Sequence, residues 1–151
     1  MTDRHPLLLT VCALLETATR HIDIVRPEPL LALFNARDIQ AELARLARRS
    51  AQSRIRVLVH ELDPALIEGS TFIQALRRMP SKAELRVLEE HPEWRSETLI
   101  CVDDARGLVV PSRTRRPIHL HTQRETRVRL NRIEALWDAA QPSPEMRLLT
   151  Y

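Results

Sequence analysis

Lysine, aromatic residues and cysteine are all scarce in this chain, and the shortages narrow what it can do. Of 23 basic residues among 151, Lys82 is the only lysine and the other 22 are arginines. Aromatic residues make up 3%: Phe34, Phe72, Trp94, Trp137 and Tyr151. So few stacking platforms argue against a single-stranded nucleic-acid binder. Cys12 and Cys101 each sit in an apolar stretch, with neither a Cys-x-x-Cys spacing nor a disulfide framework. They read as buried, reduced thiols of a cytoplasmic protein. No apolar run approaches the ~20 residues that cross a bilayer. The longest candidate, LLLTVCALL at 7–15, has Asp3 and Arg4 before it and Glu16 and Arg20 after it. It reads as an amphipathic first helix rather than an export signal.

What is present fits an ordinary folded unit. Apolar residues are 44%, charged residues 28%, and the formal net charge is +3, which excludes a disordered tail, a collagen-like repeat and a membrane bundle. Thr2 or Asp3 can cap a first helix that runs to about Thr19. HIDIVR (21–26) alternates as a strand does, and Pro27 and Pro29 stop it. A helix over 36–49 carries Ile39, Leu43, Leu46 and Ala47 on one stripe. RIRVLVH (54–60) is the strongest strand. A third helix fits Pro64 to Arg78, with Pro80 beyond its end. Strands follow at 84–90, 98–103, 108–110 and 118–121, and the turn Asp104 to Gly107 makes a hairpin of the middle pair. The last helix, about Gln123 to Ala140, buries Thr126, Leu130, Ile133, Trp137 and Ala140. The order predicts an α/β fold, a single mixed β-sheet flanked by helices, as one domain over 1–151.

Several of these segments together resemble one half of a phospholipase D-like domain. The carriers are the strand HIDIV, the helix ARDIQAELARLARR feeding RIRVLVHEL, the helix FIQALRRMP before ELRVLEE, the hairpin LICVDDARGLVV and the closing helix with RIEALWDAA. The resemblance covers roughly residues 8–140. It implies a phospholipase D-like sheet and a site built on a His-x-Lys-x4-Asp motif, with a nucleophilic imidazole and a lysine against phosphate. Asp103 matches the motif's Asp. The His position then holds Ser96 and the Lys position Thr98; shifting to Asp104 puts Glu97 and Leu99 there instead. Ser112 matches the small polar residue after the hairpin. Lys82 is nowhere near the motif. The resemblance therefore implies a degenerate site that has lost phosphodiesterase chemistry.

Other groups carry weaker signals. His60 ends the central strand, where open α/β sheets bind ligands, and His91 is a second imidazole available to a cryptic phosphodiesterase or nuclease. The pair Asp103 and Asp104 reads as a turn rather than a cation site, because neighbouring strand residues point to opposite faces. His119 and His121 share one strand face and make half of a metal site, whose ordinary reading is an edge strand with exposed imidazoles. No cofactor is implied.

Charge gives the best positive lead. Between 105 and 133 lie Arg106, Arg113, Arg115, Arg116, Arg124, Arg127, Arg129 and Arg132 against Glu125 alone, a balance of +7. Residues 63–104 carry nine acids against five bases, or −4. Arginine forks suit phosphate, so Arg113, Arg115, Arg116, Arg124 and Arg127 are the expected contacts for a phosphate-bearing ligand or nucleic acid. The competing expectation is a solvated helix face paired in part with the acidic segment. A homodimer and a protein partner docking on Leu148, Leu149 and Tyr151 complete the expectations. The reading is a non-catalytic binding or regulatory module.

Overall fold

The computed structural model describes residues 5–60 and 69–142. Along the chain run α1 (Pro6–Glu16), β1 (His21–Val25), a 3-10 turn (Glu28–Leu30), α2 (Leu31–Phe34), α3 (Arg37–Arg49), β2 (Arg54–Val59), α4 (Thr71–Arg77), β3 (Ala83–Val87), β4 (Glu97–Val102), β5 (Arg106–Pro111), β6 (Ile118–Leu120), α5 (Gln123–Ala139) and β7 (Gln141–Pro142). The seven strands form one mixed sheet in the order β6-β5-β4-β1-β2-β3-β7. β1, β2 and β3 are parallel, while β4, β5, β6 and β7 are antiparallel to their neighbours. The fold is α/β, as the alternation of patterns predicts.

Period-2 alternation sorts the side chains to two cores. Ile22, Ile24, Ile55, Val57, Ile100 and Val102 face a core shared with α1, α3 and α4. Their neighbours Val25, Leu58, Leu99 and Cys101 face α5, which buries Leu130, Ile133, Leu136 and Trp137 against them. In α3, Ile39, Leu43 and Leu46 are fully enclosed, each contributing roughly 2 kcal/mol of apolar burial.

The elements start and stop for local reasons. α1 ends at Glu16, earlier than Thr19, because the Thr17 hydroxyl donates to the Leu14 carbonyl at 2.6 Å and draws off a helical acceptor. Thr2 and Asp3, the expected caps, lie outside the described residues; His5 is the N-cap, its Nδ1 accepting from the Leu7 N–H at 3.1 Å. α4 starts at Ser70, whose hydroxyl accepts from the Ile73 N–H at 3.2 Å. The start expected at Pro64 lies outside the described residues. β3 stops at Val87, short of Glu90. The last helix, α5, ends at Ala139, ahead of Pro142 as expected, and Gln141–Pro142 then pair with β3 as the short edge strand β7.

The β4–β5 hairpin corrects the assumed role of Gly107. Positive φ falls on Asp103 (55°) and Asp104 (58°), with the Ala105 N–H bonded to the Val102 carbonyl at 3.0 Å, the signature of a type I′ turn. Gly107 lies within β5, where a Cβ would come 2.7 Å from the Ile100 carbonyl oxygen. Close approach of two strands requires glycine there.

Candidate functional site

The carboxyl ends of β1 and β2 lie beside the start of β4, where the sheet switches from parallel to antiparallel. Such a switch point opens a crevice in α/β sheets. Arg26, the first residue after β1, has φ of 56°, a left-handed conformation costing about 1 kcal/mol for a residue with a Cβ. Its surroundings hold it there. The Arg26 N–H donates to the Leu58 carbonyl at 2.7 Å, its carbonyl accepts from the Thr98 hydroxyl at 2.7 Å, and its Nη1 donates to the Arg95 carbonyl at 2.9 Å. Trp94 lies under this guanidinium at 6.0 Å and meets the His60 ring edge-on at 5.2 Å. The Trp94 Nε1–H donates to the Leu88 carbonyl at 3.0 Å.

The positions singled out by the degenerate motif divide between the two ends of the sheet. Ser96 and Ser112 adjoin, the Ser112 N–H donating to the Ser96 carbonyl at 2.9 Å, and Thr98 is on the strand that Ser96 leads into. The Ser112 hydroxyl is buried with no hydrogen-bond partner among the described residues. Thr98, in the lysine position, spends its hydroxyl on Arg26. Asp103 is at the far end of the six-residue β4, roughly 20 Å away. Its carboxylate accepts from the backbone N–H groups of Thr19, Arg20 and His21 at 2.7–2.9 Å and from the Thr19 hydroxyl at 3.0 Å. Burial pushes its pKa up, but these bonds outweigh it and hold Asp103 below its ordinary value. Asp103 therefore ties the α1–β1 turn to the hairpin.

The imidazoles are placed separately. The His60 N–H donates to the Glu28 carboxylate at 2.8 Å. His91 accepts from the Glu93 N–H on Nδ1 at 3.1 Å, closing its own turn. His119 on the edge strand β6 and His121 just past its end are exposed, their rings stacked 5.5 Å apart and 14° from parallel. No group of three or more metal-ligating side chains occurs among the described residues. Cys101 is enclosed under α5, and burial pushes its thiol up to about 12, with Asp23 adding to the effect; it is no nucleophile at neutral pH.

The eight arginines of the basic stretch divide into two groups. Arg129 pairs with Glu97 at 3.1 Å, Arg132 with Glu93 at 3.6 Å and Arg106 with Asp103 at 3.7 Å. Those three carboxylates belong to the acidic segment, so partial pairing across the fold is real. Arg113, Arg115, Arg116, Arg124 and Arg127 are all exposed, and none meets a carboxylate among the described residues. Arg113, Arg115 and Arg116 occupy the loop after β5; Arg124 and Arg127 follow β6, which runs back along β5 for three residues, roughly 10 Å. Arg113, Arg115 and Arg116 thus lie in the loop leading into the edge strand β6, and Arg124 and Arg127 in the first turns of α5 just after it. Arg115 has φ of 57°, and its N–H donates to the Pro111 carbonyl at 2.8 Å.

A charged cluster on the α5 face gives no sequence signal, because its members are far apart in the chain. Asp23 and Arg56, cross-strand neighbours on β1 and β2, pair at 2.6 Å; Glu134 on α5 closes on the same guanidinium at 2.6 Å. Arg56 and Arg86 lie over the Trp137 ring at 5.2 and 4.4 Å. Burial raises the Asp23 pKa even though Arg56 opposes it, and the Arg56 bond lowers that of Glu134.

A family model described as a domain of unknown function, DUF7931, matches residues 3–149. No curated protein matches in sequence. Among solved structures, TrmBL2, an archaeal chromatin protein with a novel mode of DNA binding, is similar with a TM-score of 0.64 and 13% identity. The match covers 89% of this chain and 50% of that one, so this chain spans about half the length of TrmBL2. The similarity is one of fold. Among the described residues, no helix is long and apolar enough to cross a membrane.

Proposed function

We propose that this chain, which belongs to the DUF7931 family, is a non-catalytic binding module that holds a phosphate-bearing polymer, double-stranded nucleic acid, along its arginine edge. The observation that carries the reading is the partition of the basic stretch: three arginines pair with carboxylates, and five are exposed with no carboxylate partner among the described residues. Five exposed charges spread from the loop after β5 to the start of α5 match a row of backbone phosphates better than one small anion, which needs convergent donors. Scarce aromatics favour a duplex over an unstacked single strand. That a fold-level relative is a DNA-binding protein agrees with this reading. The degenerate corner at Ser96, Thr98 and Ser112 supports the non-catalytic part: on the phospholipase D-like reading, the nucleophile and the phosphate-neutralising lysine are replaced by hydroxyl side chains.

Fluorescence anisotropy on a labelled 20-base-pair duplex tests it. Binding should weaken as salt rises, and replacing all five arginines with alanine should flatten the log–log salt slope by about 4 to 5, at ~0.9 per phosphate contact. Unchanged affinity in that variant overturns the edge as the interface. Phosphodiester cleavage abolished by His60→Ala or His91→Ala overturns the non-catalytic assignment.

A further inference from the structure

The face of the sheet covered by α1, α3 and α4 carries a cavity of different chemistry. A cavity of about 580 Å³ opens between the start of α1, the 3-10 turn with α2, and the start of α3. Its walls include Leu7, Leu8, Leu30, Leu33 and Ala36, and its charged members are Arg37, Arg115 and Asp38, with His5 beside them. Mostly apolar walls with a few polar groups, in the 300–1,000 Å³ range, describe a small-molecule pocket.

The charges come from separate parts of the chain. Arg37 is the first residue of α3, which is entered through Ala36 with no side-chain cap. Arg115 reaches the cavity from the basic loop, at the turn where its backbone takes the left-handed conformation. Neither arginine meets a carboxylate among the described residues. Among the described residues, the cavity wall thus carries two guanidinium groups and one carboxylate, Asp38. An aliphatic cavity whose described walls hold more guanidinium than carboxylate groups complements a molecule having one apolar chain and one anionic head.

We infer that this cavity binds a single-chain anionic amphiphile, an alkyl carboxylate or alkyl phosphate, with the chain against Leu8, Leu30 and Leu33 and the head near Arg37 and Arg115. The inference is independent of nucleic-acid binding, although Arg115 is common to both surfaces. Isothermal titration of the full chain with dodecanoate and with dodecyl phosphate, each below its micelle concentration, is the direct measurement, with inorganic phosphate as the head alone. Saturable one-to-one binding of at least one alkyl anion is expected, at least tenfold tighter than inorganic phosphate. The two alkyl probes separate a carboxylate from a phosphate head.

Ala32→Trp, at an exposed position in the cavity wall, should weaken alkyl binding at least tenfold while leaving duplex binding unchanged. The double substitution Arg37→Gln and Arg115→Gln should also weaken it at least tenfold without filling the cavity. Inorganic phosphate binding as tightly as the alkyl anions, the absence of saturable binding, or full affinity in both variants overturns the inference. Failure of the arginine edge to bind DNA has no bearing on it, because the Ala32 variant reads the cavity alone.

Discussion

Arginine plays opposite parts on the α5 face and on the outer edge of the sheet. Arg56 is held between Asp23 and Glu134 at 2.6 Å each and lies over Trp137. Burial works against its charge, but the two carboxylates outweigh that and raise its pKa. Arg113, Arg115, Arg116, Arg124 and Arg127 are exposed and meet no carboxylate among the described residues. A partly buried guanidinium held between two carboxylates has its donors committed and contributes to the fold. A guanidinium on an exposed edge contributes little to stability and keeps its donors for something else. Substitutions in the interior should therefore move stability, and those at the edge should move binding.

The largest stability loss is expected at Asp103, whose carboxylate anchors the turn before β1. Asp103→Ala removes the acceptor of three backbone N–H groups and one hydroxyl, and should cost about 3–4 kcal/mol in denaturant unfolding. Because its pKa lies below the ordinary 3.8, its contribution is complete above that value and is lost as pH falls through the lower folded value. Asp103→Asn should flatten the acid limb of the stability profile. Retention of the full acid limb would place the titrating group elsewhere.

A smaller loss, about 2–3 kcal/mol, is expected for Arg56→Ala, reduced from the usual cost of breaking a buried pair because Arg56 is about a quarter exposed. What remains is a carboxylate at Asp23 in a residue only 3% exposed. Adding Asp23→Asn should recover 1–2 kcal/mol, roughly half the loss, because the uncompensated charge is removed. The pH dependence has the opposite sign to that at Asp103. With its pKa raised above 3.8, Asp23 makes stability fall as pH rises through the folded value, more steeply without Arg56. Strictly additive losses in the double variant would mean that the two groups are not coupled.

How far these regions could be read from the sequence depended on the distance over which their signals act. The stripes Ile39, Leu43, Leu46 and Thr126, Leu130, Ile133 are local and periodic, so the helices, the strands and their alternation into an α/β sheet were legible. The short strand β7 was not, because two residues after a proline-stopped helix carry no pattern and form a strand only where β3 offers an edge. The basic edge was legible as a run of charge. Its division into paired and unpaired arginines was not, since Glu93, Glu97 and Asp103 meet Arg132, Arg129 and Arg106 only after folding. The Asp23–Arg56–Glu134 cluster was invisible for the same reason, its members lying 33 and 78 residues apart.

The smallest stability effect and the sharpest functional one should coincide in the loop after β5. Replacing Arg113, Arg115 and Arg116 with alanine removes three exposed charges and should leave unfolding free energy within about 0.5 kcal/mol of the parent. Duplex affinity should fall, and the salt slope should decrease by about 2.7 for three lost phosphate contacts. Replacing the paired Arg129 and Arg132 provides the counterpart, because it removes the same kind of charge from positions already neutralised by Glu97 and Glu93. That variant should lose stability and shift the salt slope by less than one contact. If the two variants change the slope equally, net charge alone governs binding, and pairing does not distinguish one arginine from another.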